Sequence, residues 1–184
     1  MDFFELVLTR HSVRAYQDKP VEEEKLMKIM GAGLHSASSR NRQPYKVYVV
    51  QNPELRKKIV QAQNPINFWM KETPAIFVIC VNRKLLPGQG EINHNYLDAG
   101  IMIQNMMLAV AEQDLGSCAC AAFSQEKVQK ILGIPEKLQP ILCLPIGYPR
   151  EKQGAFDLVK GYEKLIHALT HYKTRKINDI FERR

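Results

Sequence analysis

A chain of 184 residues, 45% apolar and 24% charged, is long enough to bury a core as one domain, and its composition excludes a disordered or fibrous protein. The formal charge of +7 suits an anionic small molecule as well as a nucleic acid, but no Lys/Arg run alternates with aromatics, so we expect no nucleic-acid partner. The acidic start, with Asp2 and Glu5, does not fit a secretory signal, and the longest apolar stretch, 99–115, is too polar to cross a bilayer, so we expect a cytoplasmic protein with no membrane partner.

Apolar residues that recur at helical or strand spacing, with capping and turn residues between them, predict the secondary structure. Helices are predicted over Asp2–Leu8, Val21–His35, Pro53–Gln61, Asn93–Leu115, Gln125–Leu132 and Gly161–Leu169, with a final piece over Arg175–Phe181. Strands are predicted over Tyr45–Val50, Ala75–Val81, Cys118–Ala122 and Pro140–Ile146. The helix over 93–115 is apolar around most of its circumference, which is typical of a buried helix, and Gly116 is expected to end it. This order predicts a single domain, residues 1–184, with helices on both faces of one sheet.

Dinucleotide and metal motifs are weak in this sequence. Gly31-Ala32-Gly33 lies within a predicted helix and Gly88-Gln89-Gly90 within a loop, and neither follows a strand as a dinucleotide fingerprint requires. His167 and His171 have the spacing of two ligands on one helical face, but no third ligand accompanies them. We therefore predict no metal site.

The four cysteines all fall in predicted strands and have no Cys-x-x-Cys spacing, which favours reduced, buried thiols over a zinc or redox site. Cys118 and Cys120 alternate, so their side chains should share one face of a strand.

A short basic motif near the start, Arg10-His11-Ser12-x-Arg14, has the chemistry of an anion site. Guanidinium groups make bidentate hydrogen bonds to phosphate, and a serine hydroxyl beside them can satisfy a further acceptor. A solvated surface is the simpler interpretation of such a run on its own.

The loop over 36–44 has no apolar periodicity and is rich in side chains that form hydrogen bonds. Hydroxyl and carboxamide groups of this kind can bind the edge of a flat heterocycle. The alternative is a loop that satisfies its own backbone groups. The side chains in question are Ser38, Ser39, Asn41 and Gln43.

Together the two motifs resemble those of the FMN-dependent nitroreductase family, which shows an R-x-S-x-R/K start and a P-S-S/A-x-N-x-Q-P-W loop. Further matches to that family follow in the same order along the chain. They are Asp98-Ala99-Gly100, the stretches 104–109 and 115–118, Gly133-Ile134-Pro135, the stretch 145–149 and the stretch 175–180.

The resemblance implies a three-layer α+β fold with a mostly antiparallel sheet, a long buried central helix and a C-terminal extension exchanged within a homodimer. It also implies FMN at the subunit interface and a ping-pong reaction, in which NADH or NADPH reduces the flavin and an electron-poor small molecule, such as a nitroaromatic or quinone, reoxidises it. The flavin carries the redox chemistry, so no catalytic acid or base is expected from the protein.

The site residues follow from the same resemblance, position by position. Arg10, Ser12, Arg14 and Arg175 would hold the phosphate and ribityl chain, with His11 nearby. The remaining contacts would be made to the flavin ring. The partner subunit would contribute Ser38, Ser39 and Asn41, with Gln43 in the same neighbourhood. Ala121 and Ala122 would supply backbone N–H groups near flavin N5, and Ile146 and Gly147 would line the rest of the ring.

Three departures from the family pattern concern the cavity over the ring: Ala37 replaces Pro, Tyr45 replaces Trp, and 119–121 lacks a bulky residue and a glycine. Cys120 beside the flavin is a further hypothesis. Alternatives that remain open are a flavin-binding protein without reductase activity, dehalogenation or flavin fragmentation on the same fold, and a basic nucleic-acid binder.

Overall fold

Side-chain caps and proline set the starts of most helices. In this computed structural model, which describes residues 2–84 and 93–150, Asp2, Asn52 and Ser124 each accept a hydrogen bond from a backbone N–H three residues later. All described residues lie in the first of the two units into which the chain divides, Met1–Glu151. The helices are α1 Phe3–Thr9, α2 Glu23–Leu34, α3 Pro53–Gln61, α4 His94–Glu112 and α5 Gln125–Leu132, with 3₁₀ segments Ser39–Asn41 and Pro65–Glu72.

Within the described residues, four strands form one antiparallel sheet with the order β1-β2-β4-β3. The strands are β1 Tyr45–Val50, β2 Ala75–Asn82, β3 Gly116–Ser117 and β4 Leu138–Gly147. Strand β2 is buried from Ala75 to Val81, as expected of a central strand with both faces covered. The predicted α+β class with an antiparallel sheet is confirmed.

Helices cover both faces of this sheet. Phe77 and Leu144 face a core that also contains Leu26 of α2 and Met106 of α4. On the other face, the Cys143 thiol contacts Gln63, just beyond α3, and α5 packs along β4. The three-layer arrangement therefore has α2 and α4 on one side and α3 and α5 on the other.

Helix α4 was expected to be buried, and one side of it is not. Met102 and Met106 are buried, whereas Leu97 is 57% exposed. Its end also differs from the prediction, because Asp114 adopts the left-handed conformation (φ 59°) after the helix stops, and Gly116 is already in β3. The predicted stop at Gly116 is wrong.

The predicted strand Cys118–Ala122 is also wrong in extent. Only Cys120 of this segment pairs, through one isolated bridge to Cys143. Sequence alternation marks an extended chain but does not show whether a partner strand lies alongside it. Strand β4 begins at Leu138, before Pro140, and Pro140 is accommodated where the register with β2 shifts next to Cys80.

The predicted helix Gly161–Leu169, the piece Arg175–Phe181, and the residues His167, His171 and Arg175 lie outside the described residues. Among the residues that are described, no helix combines the length and apolar composition needed to cross a membrane.

Candidate functional site

The basic motif 10–14 runs along the outer edge of β3. Ser12 forms a parallel bridge with Ser117, and the backbone N–H of Val13 donates to the Ser117 carbonyl over 3.0 Å. Val13 lies directly over Gly116, where an added Cβ would be 2.5 Å from the Val13 Cβ. The glycine therefore allows the motif to lie against the sheet.

The guanidinium of Arg10 is the clearest sign of an anion-binding site. Its Nη1 atom is buried and has no hydrogen-bond partner among the described residues. A buried charged donor without a partner is costly, and a phosphate or carboxylate oxygen would satisfy it. Ser12 and His11 are exposed beside it, and the His11 Nδ1 lies 3.1 Å from the Thr9 carbonyl, to which it donates in the tautomer that carries the proton on Nδ1.

Arg14 and Ser12 also contact the Cys118 thiol. The pKa of Cys118 is held below the ordinary thiol value because the Cys120 thiol donates a hydrogen bond to it, with further help from the Arg14 charge and the Ser12 hydroxyl. The same contact, together with burial, raises the pKa of Cys120. The motif thus surrounds a place where negative charge is favoured.

Ala121 and Ala122 follow this thiol pair and are exposed. The Ala122 carbonyl accepts from the Asn64 backbone N–H at 2.9 Å and from the Asn67 Nδ2 at 3.4 Å. The backbone N–H groups of both alanines donate to no group within 2–84 and 93–150, so they are available to a ligand. The sequence interpretation did not include Asn67, and no local pattern points to it, because 55 residues separate it from Ala122.

Ile146 and Gly147 lie on the adjacent strand, opposite Ser117 and Gly116. Ile146 is fully buried in the core. A Cβ at Gly147 would meet Pro74 at 2.6 Å and Tyr16 at 2.9 Å. Both residues lie on β4, next to β3, and the basic motif lies along the other edge of β3. Their contact with a ligand stays a prediction.

The polar loop 38–43 is held by its own hydrogen bonds. Ser38 Oγ accepts from the Gln43 N–H, Gln43 Nε2 donates to Asn41 Oδ1, and Arg42 donates to the carbonyl and hydroxyl of Ser39, all at 3.1 Å. Arg40, Asn41 and Gln43 have positive φ values of 54°, 55° and 48°, a conformation that disfavours side chains other than Asn, Asp and Gly. The expectation that the loop satisfies its own backbone is therefore confirmed for part of its polar groups.

The basic motif and the polar loop lie at opposite ends of β2. Ala75 pairs with Ile146, the neighbour of Ser117, whereas the Asn82 N–H donates to the Pro44 carbonyl. Seven residue steps of about 3.4 Å separate these ends by roughly 24 Å. One chain therefore brings Arg10, Ser12 and Arg14 together at one end of β2 and holds Ser38, Ser39, Asn41 and Gln43 at the other end. The segment that leads into Ala121 and Ala122 lies alongside the middle of β4, through the bridge from Cys120 to Cys143.

Comparison with known proteins gives a consistent result. The model of a family described as "Nitroreductase family" matches residues 7–67 and 60–148. A Methanothermobacter thermautotrophicus protein that carries the name of an NADH dehydrogenase/NAD(P)H nitroreductase is 32% identical over 164 residues, which cover 86% of this chain and 83% of that protein.

Two solved structures share the fold over most of their length. A protein of Parabacteroides distasonis with the same name superposes with a TM-score of 0.76 at 27% identity, covering 98% of this chain and 96% of that one. An FMN-dependent nitroreductase of Clostridium difficile superposes with a TM-score of 0.72 at 25% identity, covering 82% of this chain and 90% of that one.

Proposed function

Because this chain belongs to the Nitroreductase family, we propose that it is an FMN-dependent NAD(P)H oxidoreductase that reduces an electron-poor small molecule such as a nitroaromatic or quinone. The observation that carries the proposal is the Nη1 of Arg10, which is buried beside Ser12 and Arg14 and has no hydrogen-bond partner in the part of the chain that the structure describes. It is the group that a flavin phosphate would neutralise.

The residues present fit FMN at both ends of the cofactor. Arg10, Ser12 and Arg14 offer charged and hydroxyl donors to the phosphate, and we assign Arg175, outside the described residues, to the same end. Ala121 and Ala122, which are exposed, offer backbone N–H groups three and four residues beyond Cys118, the thiol that Arg14 contacts, and we assign the ring to them. A backbone donor at the ring edge can stabilise negative charge there without a proton transfer from the protein.

FMN, when bound, supplies the transfer of electrons from NADH or NADPH to the second substrate. The contribution of this chain is binding, orientation and tuning of the ring. We accordingly assign no catalytic acid or base among its residues. The small residues Ala121 and Ala122, which follow the thiol pair, leave room there for a substrate.

A homodimer would explain why the polar loop and the basic motif lie at opposite ends of β2 in one chain. We propose that Ser38, Ser39, Asn41 and Gln43 reach the flavin ring of the partner subunit. The exposed apolar side chains are consistent with such an interface, since Phe4 is 76% and Leu8 83% exposed on α1. A groove of about 430 Å³ next to the loop, lined by Met27, Met30, Leu34, Val47, Met102 and Met106, adds apolar surface for a second copy.

The remaining assignments are part of the same proposal. The C-terminal extension would be exchanged between the subunits, and residues 1–184 would act as one functional domain. All four cysteines carry free thiols, which suits a reducing compartment, so we place the protein in the cytoplasm.

The first test is the visible absorbance of the purified protein, with acid release of any chromophore, followed by anaerobic addition of NADH or NADPH. Bound FMN that bleaches on addition supports the oxidoreductase. Bound FMN that neither nucleotide bleaches would indicate a flavin-binding protein without reductase activity. A protein that is colourless and takes up no added FMN would overturn the assignment of Arg10, Ser12 and Arg14.

A further inference from the structure

Two arginines of the polar loop 38–43, Arg40 and Arg42, have no part in the proposed flavin site. The Arg40 side chain is exposed, and within the described part of the chain it forms no hydrogen bond or ion pair. No Asp or Glu occurs between Glu24 and Glu54, so the charged side chains of this stretch are all basic. A positive charge that no acidic neighbour neutralises is available to an anionic ligand.

The guanidinium of Arg42 is held in place by Ser39. Its Nε donates to the Ser39 carbonyl and its Nη2 to the Ser39 hydroxyl, both over 3.1 Å. The third nitrogen, Nη1, donates to no group among the residues that the structure describes. Because two hydrogen bonds already fix the planar group, a ligand that accepts from Nη1 does not have to immobilise it.

The backbone of Arg40 has a conformation that an arginine adopts only at a cost. Its φ of 54° and ψ of 28° lie in the left-handed region, which Gly, Asn and Asp occupy more easily. The hydrogen bond from the Ser39 N–H to the buried Asp98 carboxylate holds the chain immediately before it. Strained residues of this kind cluster at functional sites, where the surrounding structure maintains the strain. An arginine at this position is therefore expected if its guanidinium binds a ligand.

Phosphate is the anion that the proposed reaction brings to this loop. The FMN phosphate is assigned to Arg10, Ser12 and Arg14, at the opposite end of β2. The other phosphates of the reaction belong to the nicotinamide nucleotide, which must approach the flavin ring that the loop is proposed to contact. NADPH differs from NADH only in a 2′-phosphate, a monoester with a charge of about −1.5 to −2 at neutral pH. Guanidinium groups bind such a phosphate through charge-assisted, bidentate hydrogen bonds.

We propose that Arg40 and Arg42 bind the 2′-phosphate of NADPH at the flavin site of the partner subunit, which makes NADPH the preferred reductant. Arg40 contributes a guanidinium without a protein partner in the described residues, and Arg42 contributes one that Ser39 orients. The pyrophosphate, which both nucleotides share, adds nothing to the preference. The proposal rests on the proposed function, because it needs a nucleotide at the flavin ring.

Initial rates of the FMN-loaded protein with NADPH and with NADH measure the preference, and kcat/KM of wild type should be higher for NADPH. Arg40→Asn is the sharpest variant, because asparagine suits the left-handed backbone and the variant should fold at least as well. It should lower kcat/KM for NADPH about tenfold or more and change that for NADH less than about twofold. Lys46→Ala removes an exposed positive charge three residues beyond the loop and, as the matched control, should leave both values unchanged.

A binding measurement separates this proposal from the proposed function. Calorimetric titration with 2′,5′-ADP and with 5′-AMP compares two probes that differ only in the 2′-phosphate, and it needs no turnover. Wild type should bind 2′,5′-ADP at least about tenfold more tightly than 5′-AMP, and Arg40→Asn should remove most of that difference.

Three results would overturn the proposal: a wild type that prefers NADH, a preference for NADPH that survives both Arg40→Asn and Arg42→Ala, or equal losses with the two nucleotides. A protein that binds 2′,5′-ADP through Arg40 but oxidises neither nucleotide would contradict the proposed function and support the phosphate site.

Discussion

The backbone N–H of Ser39 donates a hydrogen bond to the buried carboxylate of Asp98, 3.1 Å away, and so ties the polar loop to α4. A second contact, from Asn105 Nδ2 to Ser36 Oγ at 2.9 Å, holds the start of the same loop. The strained backbone at Arg40, Asn41 and Gln43 is thus held by the long helix.

Replacing Asp98 with Ala should destabilise the protein by about 1–3 kcal/mol, because the Ser39 N–H loses its acceptor in a partly buried position. Asp98→Asn keeps an acceptor oxygen and should cost less. Urea unfolding of both variants measures the difference. An Asp98→Ala protein as stable as wild type would mean that the loop does not depend on this contact.

The Gly116→Ala substitution should displace the basic motif from the sheet edge, since its Cβ would overlap the Val13 side chain. We expect a loss of about 1–3 kcal/mol of stability and a lower FMN content. Gly31→Ala is the control, because no atom lies within 4 Å of an added Cβ there and alanine favours the helix. Equal behaviour of the two variants would contradict the close packing of Val13 on Gly116.

Removal of the Arg10 guanidinium should weaken FMN binding. Loss of charge-assisted hydrogen bonds worth about 1.5–3 kcal/mol corresponds to a roughly 10- to 150-fold rise in Kd for Arg10→Ala. Titration of the apoprotein with FMN measures it, and Lys58→Ala, which removes an exposed positive charge on α3, should leave Kd unchanged. Equal losses in the two variants would show a general charge effect instead of a phosphate contact.

The dimer proposal can be tested by mixing two defective chains. Arg10→Ala damages the phosphate end, and Asn41→Leu places a larger side chain at a left-handed position of the loop. If the loop serves the partner's site, a mixed dimer has one intact site and one doubly defective site, and half the flavin content should return. If each chain completes its own site, the mixed dimer retains no more flavin than the parents.

Stability near pH 4 should depend on Glu22. The Tyr148 hydroxyl donates to its carboxylate over 2.6 Å, which lowers the pKa of Glu22 below its ordinary value of 4.5, helped by Lys19 and Lys25. The pKa of Glu22 is lower in the folded state than in the unfolded state. The contact therefore stabilises the protein fully at pH values above the unfolded-state pKa, and this stabilisation is lost as the pH falls through the folded-state pKa. The free energy of unfolding of wild type minus that of Glu22→Gln should therefore shrink on acidification, and a constant difference from pH 7 to pH 3 would rule this out.

Helical periodicity and caps were sufficient to predict most elements. Leu26 and Ile29 point inward from α2 as their spacing indicates, and the apolar run of β2 is the buried central strand. Strand pairing was harder to predict, because the alternation of Cys118 and Cys120 is the same whether or not a partner strand lies beside it. The sequence pattern predicts no element between Gln61 and Ala75, although the structure has a 3₁₀ segment over Pro65–Glu72, whose start is capped by the Asn64 side chain and which buries Trp69.

The sequence indicates the candidate site only through the types and spacing of its residues. The spacing of Arg10, Ser12 and Arg14 indicates an anion, but the burial of the Arg10 Nη1 depends on packing from the rest of the chain. The approach of Asn67 to Ala122 joins segments 55 residues apart, and no local pattern encodes it. The separation between the basic motif and the polar loop likewise depends on how the strands pair in the sheet, which the sequence pattern does not predict.

The bridge from Ser12 to Ser117 has a consequence for solubility. Among the strands formed by residues 2–84 and 93–150, β3 is the last on its side of the sheet, and the stretch from Ser12 to Val13 lies along its outer edge, where the Val13 N–H donates to the Ser117 carbonyl. An uncovered strand edge is a template for pairing with other chains and for aggregation. The N-terminal residues that would hold the phosphate thus also prevent β3 from pairing with strands of other molecules. Deleting them would expose an aggregation-prone strand edge and remove the anion-binding groups together.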